Sequence, residues 1–161
     1  MTSKIEAIFW SIALPGFAQL LNKKLVKGIV LIALEFLINV NSNFNSAIMA
    51  SFLGEIDKAI HIINFQWLMF YPCVYMFAMW DAYKDAKGET SRYSFLPFVF
   101  GAYSVTVGLM YSPVFTIRGV LLGPIWLPIL SLIPGLLIGI LLSMILKRVK
   151  KVKKQEGNRH G

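Results

Sequence analysis

Few side chains in this chain can do chemistry, and most of those stand alone. Glu35 is an acid inside an otherwise apolar stretch. An ionisable group at membrane depth is costly, so it turns toward protein and takes a partner. The functional reading is a proton- or cation-binding carboxylate. The structural reading is a carboxyl hydrogen-bonded to Asn39, one turn on, or to a Tyr or Ser of another helix. With no second acid or basic relay beside it, Glu35 is a thin basis for a pump, and the structural reading is preferred. Asp81 closes an apolar run. A carboxylate at a helix C-terminus opposes the helix dipole, so it needs a counter-charge. Lys24 or Lys27, with Lys23 beside them, would supply one and lock an N-terminal hairpin to the helix that carries Asp81. His61 has Asp57 one turn away. One such pair does not make a zinc site and reads as an interfacial contact. Cys73, the single cysteine, can form neither an internal disulfide nor a CxxC site and reads as a small hydrophobe. There is no nucleophile elbow, phosphate loop or HExxH motif, so neither catalysis nor a cofactor is inferred.

The elements holding these residues must be membrane helices. Of 161 residues, 57% are hydrophobic and 15% charged, with a mean hydropathy of +0.64. A water-soluble domain carries roughly a quarter charged residues, and disorder requires low hydrophobicity. Both are excluded. The net charge of +8 is unevenly placed. Seven of the sixteen Lys+Arg lie in 147–161 against one acid, Glu156, so that stretch holds +6 and the rest of the chain +2. A near-neutral body with a basic tail does not suit nucleic acid. Residues 1–146 therefore read as one membrane-embedded helical domain and 147–161 as a basic tail, with its Gly157–Gly161 end disordered. The N-terminus, with Glu6 and then Pro15-Gly16, does not read as a cleavable signal.

A crossing helix needs about 20 apolar residues. Clear spans are predicted at 60–80, 94–112 and 122–146. Residues 25–40 form a shorter helix containing Glu35, reaching only about 24 Å against a core of about 30 Å. Residues 5–21 are apolar but broken by Pro15-Gly16. The break makes either a kink in a fifth span or the tip of a re-entrant hairpin, and five spans are favoured. Residues 41–59 are too polar to cross, and Ala47–Leu53 suits an interfacial helix. Lysine and arginine bias puts 22–27, 81–93 and 147–161 on the cytoplasmic side of a cell inner (plasma) membrane, with Lys58 and Arg118 outside.

The run Pro15-Gly16-Phe17-Ala18-Gln19-Leu20-Leu21-Asn22, followed by Lys27-Gly28, resembles a pattern of small bacterial membrane proteins, Pro-Gly-x-Gly-Gln-x-Tyr-Asn then Lys-Gly. Those proteins are similar to the two-transmembrane-helix hairpin domain group. Trp80-Asp81-Ala82-Tyr83-Lys84-Asp85-Ala86 resembles their later Asp-Ala-Tyr-x-x-Ala segment. The chain has Ala18, Leu21 and Lys23 where the pattern has Gly, Tyr and Gly. The resemblance implies two short helices joined by a tight cytoplasmic corner, and no shared activity. The residues themselves say that Pro15-Gly16 frees backbone groups at depth, which must be buried or face a wet cavity. Gln19 and Asn22 are placed to satisfy them.

The last segment carries Pro124, Pro128 and Pro134, which predict a kinked or broken helix. Gly119/Gly123 and Gly135/Gly139 have the spacing that lets helices approach closely. Packing within the chain is the plain reading, and a homo-oligomer or membrane-protein partner the sharper one. Lys147, Arg148, Lys150, Lys151, Lys153 and Lys154 follow directly, as a topology anchor and a surface for anionic lipid headgroups. The expected function is that of a small multi-pass accessory, scaffold or assembly factor working through helix contacts. The alternative is a small transporter or channel subunit using Glu35.

Overall fold

The computed structural model describes residues 1–157, with side chains through residue 151. The fold is all-α apart from one two-stranded ribbon. Helix α1 spans Lys4–Ala13 and begins with a reciprocal cap. The Ser3 hydroxyl accepts from the Glu6 amide and the Glu6 carboxylate accepts from the Ser3 amide, each at 3.2 Å. This satisfies two of the amides that a helix start leaves without partners. Pro15 and Gly16 then turn the chain, with Gly16 at φ +98. Helix α2 covers only Phe17–Leu21.

Helix α3 runs Leu25–Ser42 and stops at Asn43, which takes the left-handed conformation (φ 56). After glycine, asparagine tolerates that cap best. Helices α4 (Phe44–Phe52), α5 (Ile56–Ile62) and α6 (Phe65–Leu68) lie across one end of the molecule. Their small side chains Ala47, Ala50 and Ala59 bury with Ile63, Leu68 and Leu109. Helix α7 is Tyr71–Asp85, with Pro72 in its first turn, and α8 is Leu96–Tyr111, with Pro97 in its first turn. Proline suits those positions because the first-turn amides have no helical acceptor. Strands β1 (Thr116–Ile117) and β2 (Val120–Leu121) pair antiparallel. Arg118 and Gly119 between them both have positive φ, +52 and +81, as a tight two-residue hairpin demands. Helix α9 is Gly123–Gly157.

Helix directions follow from the contacts. Lys27 meets Asp81 and Glu35 meets Tyr71, so α3 and α7 are antiparallel. Gly139 lies on Pro97 while Gly108 lies on Ser131, so α8 and α9 are antiparallel. Tyr83 and Phe98 bring the end of α7 to the start of α8. The loops 22–27 and 81–93 and the basic end of α9 therefore share one end of the bundle. The α4–α6 layer and the ribbon occupy the other.

Helices α3 and α9 are long and apolar enough to cross a membrane, and α5 with α6–α7 makes a third candidate, bent by 87°. Only 22% of the apolar window of α3 and 17% of that of α9 are buried within the chain. Val26, Ile29, Phe36 and Val40 of α3 face outward, as do Ile133, Leu137, Leu141 and Ile145 of α9. Apolar surface on that scale belongs in a membrane or against a partner. Helix α8, at 16 residues, is shorter than the expected span.

Two expectations are corrected here. Residues 5–21 do not form one span. They double back at Gly16, and the two ends of the segment meet where the Thr2 amide donates to Asn22 Oδ1 at 2.7 Å. Of the two alternatives for the last segment, kinked or broken, the break is excluded, since α9 continues through Pro128 and Pro134 and past residue 147 without interruption.

Candidate functional site at the corner of α2, α3 and α7

The polar residues that sequence reading selected converge mainly at one place. Gly16, in its left-handed turn, starts α2 so close to α3 that an added Cβ would stand 2.6 Å from the Gly28 carbonyl oxygen. A Cβ on Gly28 would stand 2.4 Å from Leu20 and 2.9 Å from the Gly16 carbonyl oxygen. Only two glycines permit this crossing. It presses Gln19 against α7, where Gln19 is fully buried. The Gln19 amide nitrogen donates to the Ala78 carbonyl at 2.8 Å and to Asp81 Oδ2 at 3.2 Å. Its Oε1 has no partner.

Asp81 also accepts from Lys27 Nζ at 2.7 Å, and Lys27 donates to Asp85 Oδ2 at 3.0 Å. One ammonium on α3 thus clamps two carboxylates one turn apart on α7. The cation offsets the unfavourable placement of Asp81 and Asp85 in the last turns of that helix. The lock between hairpin and α7 therefore exists, but its cation is Lys27. Lys24 is the exposed residue preceding α3 and makes no ion pair with a described carboxylate.

Contrary to expectation, Gln19 and Asn22 do not hydrogen-bond the backbone freed at Pro15-Gly16. Gln19 reaches across to α7, and Asn22 holds the N-terminal residues ahead of α1. Asn22 Oδ1 accepts from Thr2, and Asn22 Nδ2 donates to the Thr2 hydroxyl at 2.9 Å. The Lys87 amide donates to the Thr2 carbonyl. Lys4 Nζ donates to the Tyr83 carbonyl and to the Thr90 hydroxyl, and sits over the Tyr83 ring. Toward the hairpin tip the Tyr75 hydroxyl donates to the Ile12 carbonyl at 2.7 Å.

Glu35 lies apart from this corner. Its Oε1 accepts from the Tyr71 hydroxyl at 3.1 Å. Asn39 is not its partner, because Asn39 Nδ2 donates to Asn45 instead. Tyr71 and Tyr75 line an apolar cavity of about 430 Å³ between the tip of α1, α4, α7 and α9. His61 Nδ1 lies 2.6 Å from the backbone carbonyl of Asp57, not its carboxylate. Among the described residues no three His, Cys, Asp or Glu side chains converge as metal ligands.

The glycine pairs divide. Gly135 and Gly139 are buried on α9 against α8, where a Cβ would stand 2.5 Å from the Phe100 carbonyl oxygen and 2.5 Å from Pro97. Gly119/Gly123 is not a helix face. Gly119 is in the ribbon turn with open space around it, and Gly123, at φ +68, starts α9 under Ile56. Of the basic tail residues, Lys147, Arg148, Lys150 and Lys151 are exposed, while the side chains of Lys153 and Lys154 and the Gly157–Gly161 end fall at or beyond the limit of the described residues.

Sequence reading missed Asp85, Tyr71, Gly16 with Gly28, and the N-terminal Thr2 and Lys4. Asp85 had a signal, being one turn from Asp81 and so on the same face. Ser3 and Glu6 had the capping-box spacing. The partners of Glu35 and Gln19 had none, because they depend on which helices are neighbours. No family model, curated protein or solved structure matches this chain.

Proposed function

We propose that the chain is a small multi-pass integral membrane protein acting through helix–helix contacts as an accessory, scaffold or assembly factor. The observation that carries this reading is the corner itself. Gln19, Lys27, Asp81 and Asp85 spend their hydrogen bonds on joining α2, α3 and α7. Polar groups consumed in this way make a rigid corner rather than a reaction centre, so no catalysis belongs to this reading. The outward apolar faces of α3 and α9 remain for lipid or a membrane partner.

The arrangement we propose is four crossings, α3, α5–α7, α8 and α9, with α1–α2 as a re-entrant hairpin. The meeting of Thr2 with Asn22 supports the hairpin. The end carrying Lys23, Lys24, Lys27, Lys84, Lys87, Arg92 and the basic end of α9 faces the cytoplasm, by the Lys/Arg bias of short loops. The membrane is a bacterial inner membrane on the resemblance of the corner motif.

Purification from native membranes in mild detergent, with mass identification of what comes along, tests the reading. A stoichiometric membrane-protein partner is the expected result. A clean monomer or homo-oligomer would move the assignment to the second reading, transport. That reading is favoured by one observation, the Glu35–Tyr71 pair beside the cavity. Glu35→Gln in a reconstituted flux assay then decides it.

A further inference from the structure

We propose that Arg92, Lys147, Lys150 and Lys151 form a cleft for the phosphate of an anionic phospholipid headgroup. The inference rests on the reading that this end of the bundle lies at a membrane surface, and goes beyond a basic tail by assigning a shallow, open cleft. Ser91, Arg92 and Tyr93 belong to the α7–α8 connection, and the three lysines belong to α9. The fold brings both groups around one cleft of about 320 Å³. The α8–α9 seam is the cause. With Gly139 packed on Pro97, the next turns of α9 must pass the loop just before α8. Positions 147, 150 and 151 are spaced three and four apart, so they share one helix face.

Four cations line this cleft and, among the described residues, no carboxylate does. None of the four makes an ion pair with a described carboxylate. Like charges around one cleft repel one another, and an anion among them relieves that repulsion. The guanidinium of Arg92 offers a planar fork that matches two phosphate oxygens, and the lysines add point charges. Ser91 and Tyr93 line the same cleft. The cleft stands where the outward apolar face of α9 gives way to lysine and arginine. On a membrane helix that is headgroup level, which selects a lipid phosphate over a soluble one.

The test uses the full-length protein in mild detergent, with lipid adducts read by native mass spectrometry. Dioleoyl phosphatidylglycerol is the probe, and dioleoyl phosphatidylcholine and inorganic phosphate are the comparisons. Phosphatidylglycerol is expected to be retained in preference to phosphatidylcholine, and inorganic phosphate is expected not to displace it. Arg92→Gln and Lys150→Gln should each weaken retention about fivefold. Arg92→Lys, which keeps the charge without the fork, should restore part of the loss, which separates charge from misfolding. Lys24→Gln, at the same end but outside the cleft, should change nothing. Wild-type retention by Arg92→Gln would overturn the cleft and leave lipid to the tail alone. Equal retention of phosphatidylcholine, or displacement by inorganic phosphate, would overturn the lipid assignment. Recovery of the protein in the soluble fraction without detergent would instead sink the membrane reading on which the cleft rests.

Discussion

At the residue scale, Gln19 is the most constrained polar side chain. Both of its partners, the Ala78 carbonyl and the Asp81 carboxylate, are acceptors, so the amide nitrogen must face them. Gln19→Leu removes both hydrogen bonds and leaves a buried carboxylate short of a donor. We expect a loss of about 2–3 kcal/mol, seen as a lower unfolding midpoint in detergent. An unchanged midpoint would mean that the corner contributes little. Asp81 and Asp85 share Lys27 but differ in cover, their side chains being 9% and 18% exposed, with Lys27 at 48%. The half-exposed lysine keeps the pair modest. Asp81→Ala should cost about 1–2 kcal/mol because the buried Gln19 amide loses one of its two acceptors as well, whereas Asp85→Ala should cost about 0.5 kcal/mol. The reverse ranking, in the same melting experiment, would show that Asp85 is the true anchor.

At the element scale, the α8–α9 seam is built from backbone contact. Gly135 and Gly139 of α9 face the Phe100 carbonyl, Ser104 and Pro97, while Gly101 and Gly108 of α8 face Leu132, Leu136 and Ser131. Glycine on both sides lets two apolar helices come within reach of dispersion forces, which must stand in for the hydrophobic effect where the surroundings are apolar too. Gly139→Ala pushes a methyl group against backbone atoms that cannot rotate away. Overpacking of this kind costs about 1–3 kcal/mol. Gly119→Ala meets open space and pays only for its left-handed φ, about 1 kcal/mol. Comparing the melting midpoints of the two variants checks the ranking, and an equal effect would argue that α8 and α9 separate without penalty. Gly28→Ala belongs with Gly139→Ala, since its neighbour is the Gly16 carbonyl.

At the scale of the whole molecule, the distribution of charge predicts topology. With Cys73 replaced by Ser, single cysteines at Lys24 and at Val114 probe opposite ends of the bundle. Val114 is highly exposed at the end of α8. An impermeant thiol reagent applied to intact cells should label Val114→Cys and spare Lys24→Cys, the latter reacting only after the membrane is opened. The opposite pattern would invert the proposed orientation. Labelling of both would be incompatible with one fixed topology.

Much of the layout was legible in the sequence. Asp81 with a lysine of the 23–27 corner, the short helix over 25–40 and a further short helix around Ala47–Leu53 were all readable. Each follows from local rules: an acid at a helix end needs a cation, and apolar length sets what can cross. Contacts between helices were not readable in the same way. Glu35 announced that it needed a partner, but Tyr71 became that partner only because α3 runs antiparallel to α7. Glycine spacing announced two close approaches, yet only Gly135/Gly139 lies on a helix. At Gly119 the tight Arg118-Gly119 turn takes the chain into a ribbon instead. The first segment is the clearest case. Its apolar length fits a crossing as well as a hairpin, since the same side chains suit lipid either way. What decided between them was the return of Asn22 to Thr2 and the fit of Gly16 against Gly28, contacts that exist only once the chain has folded back.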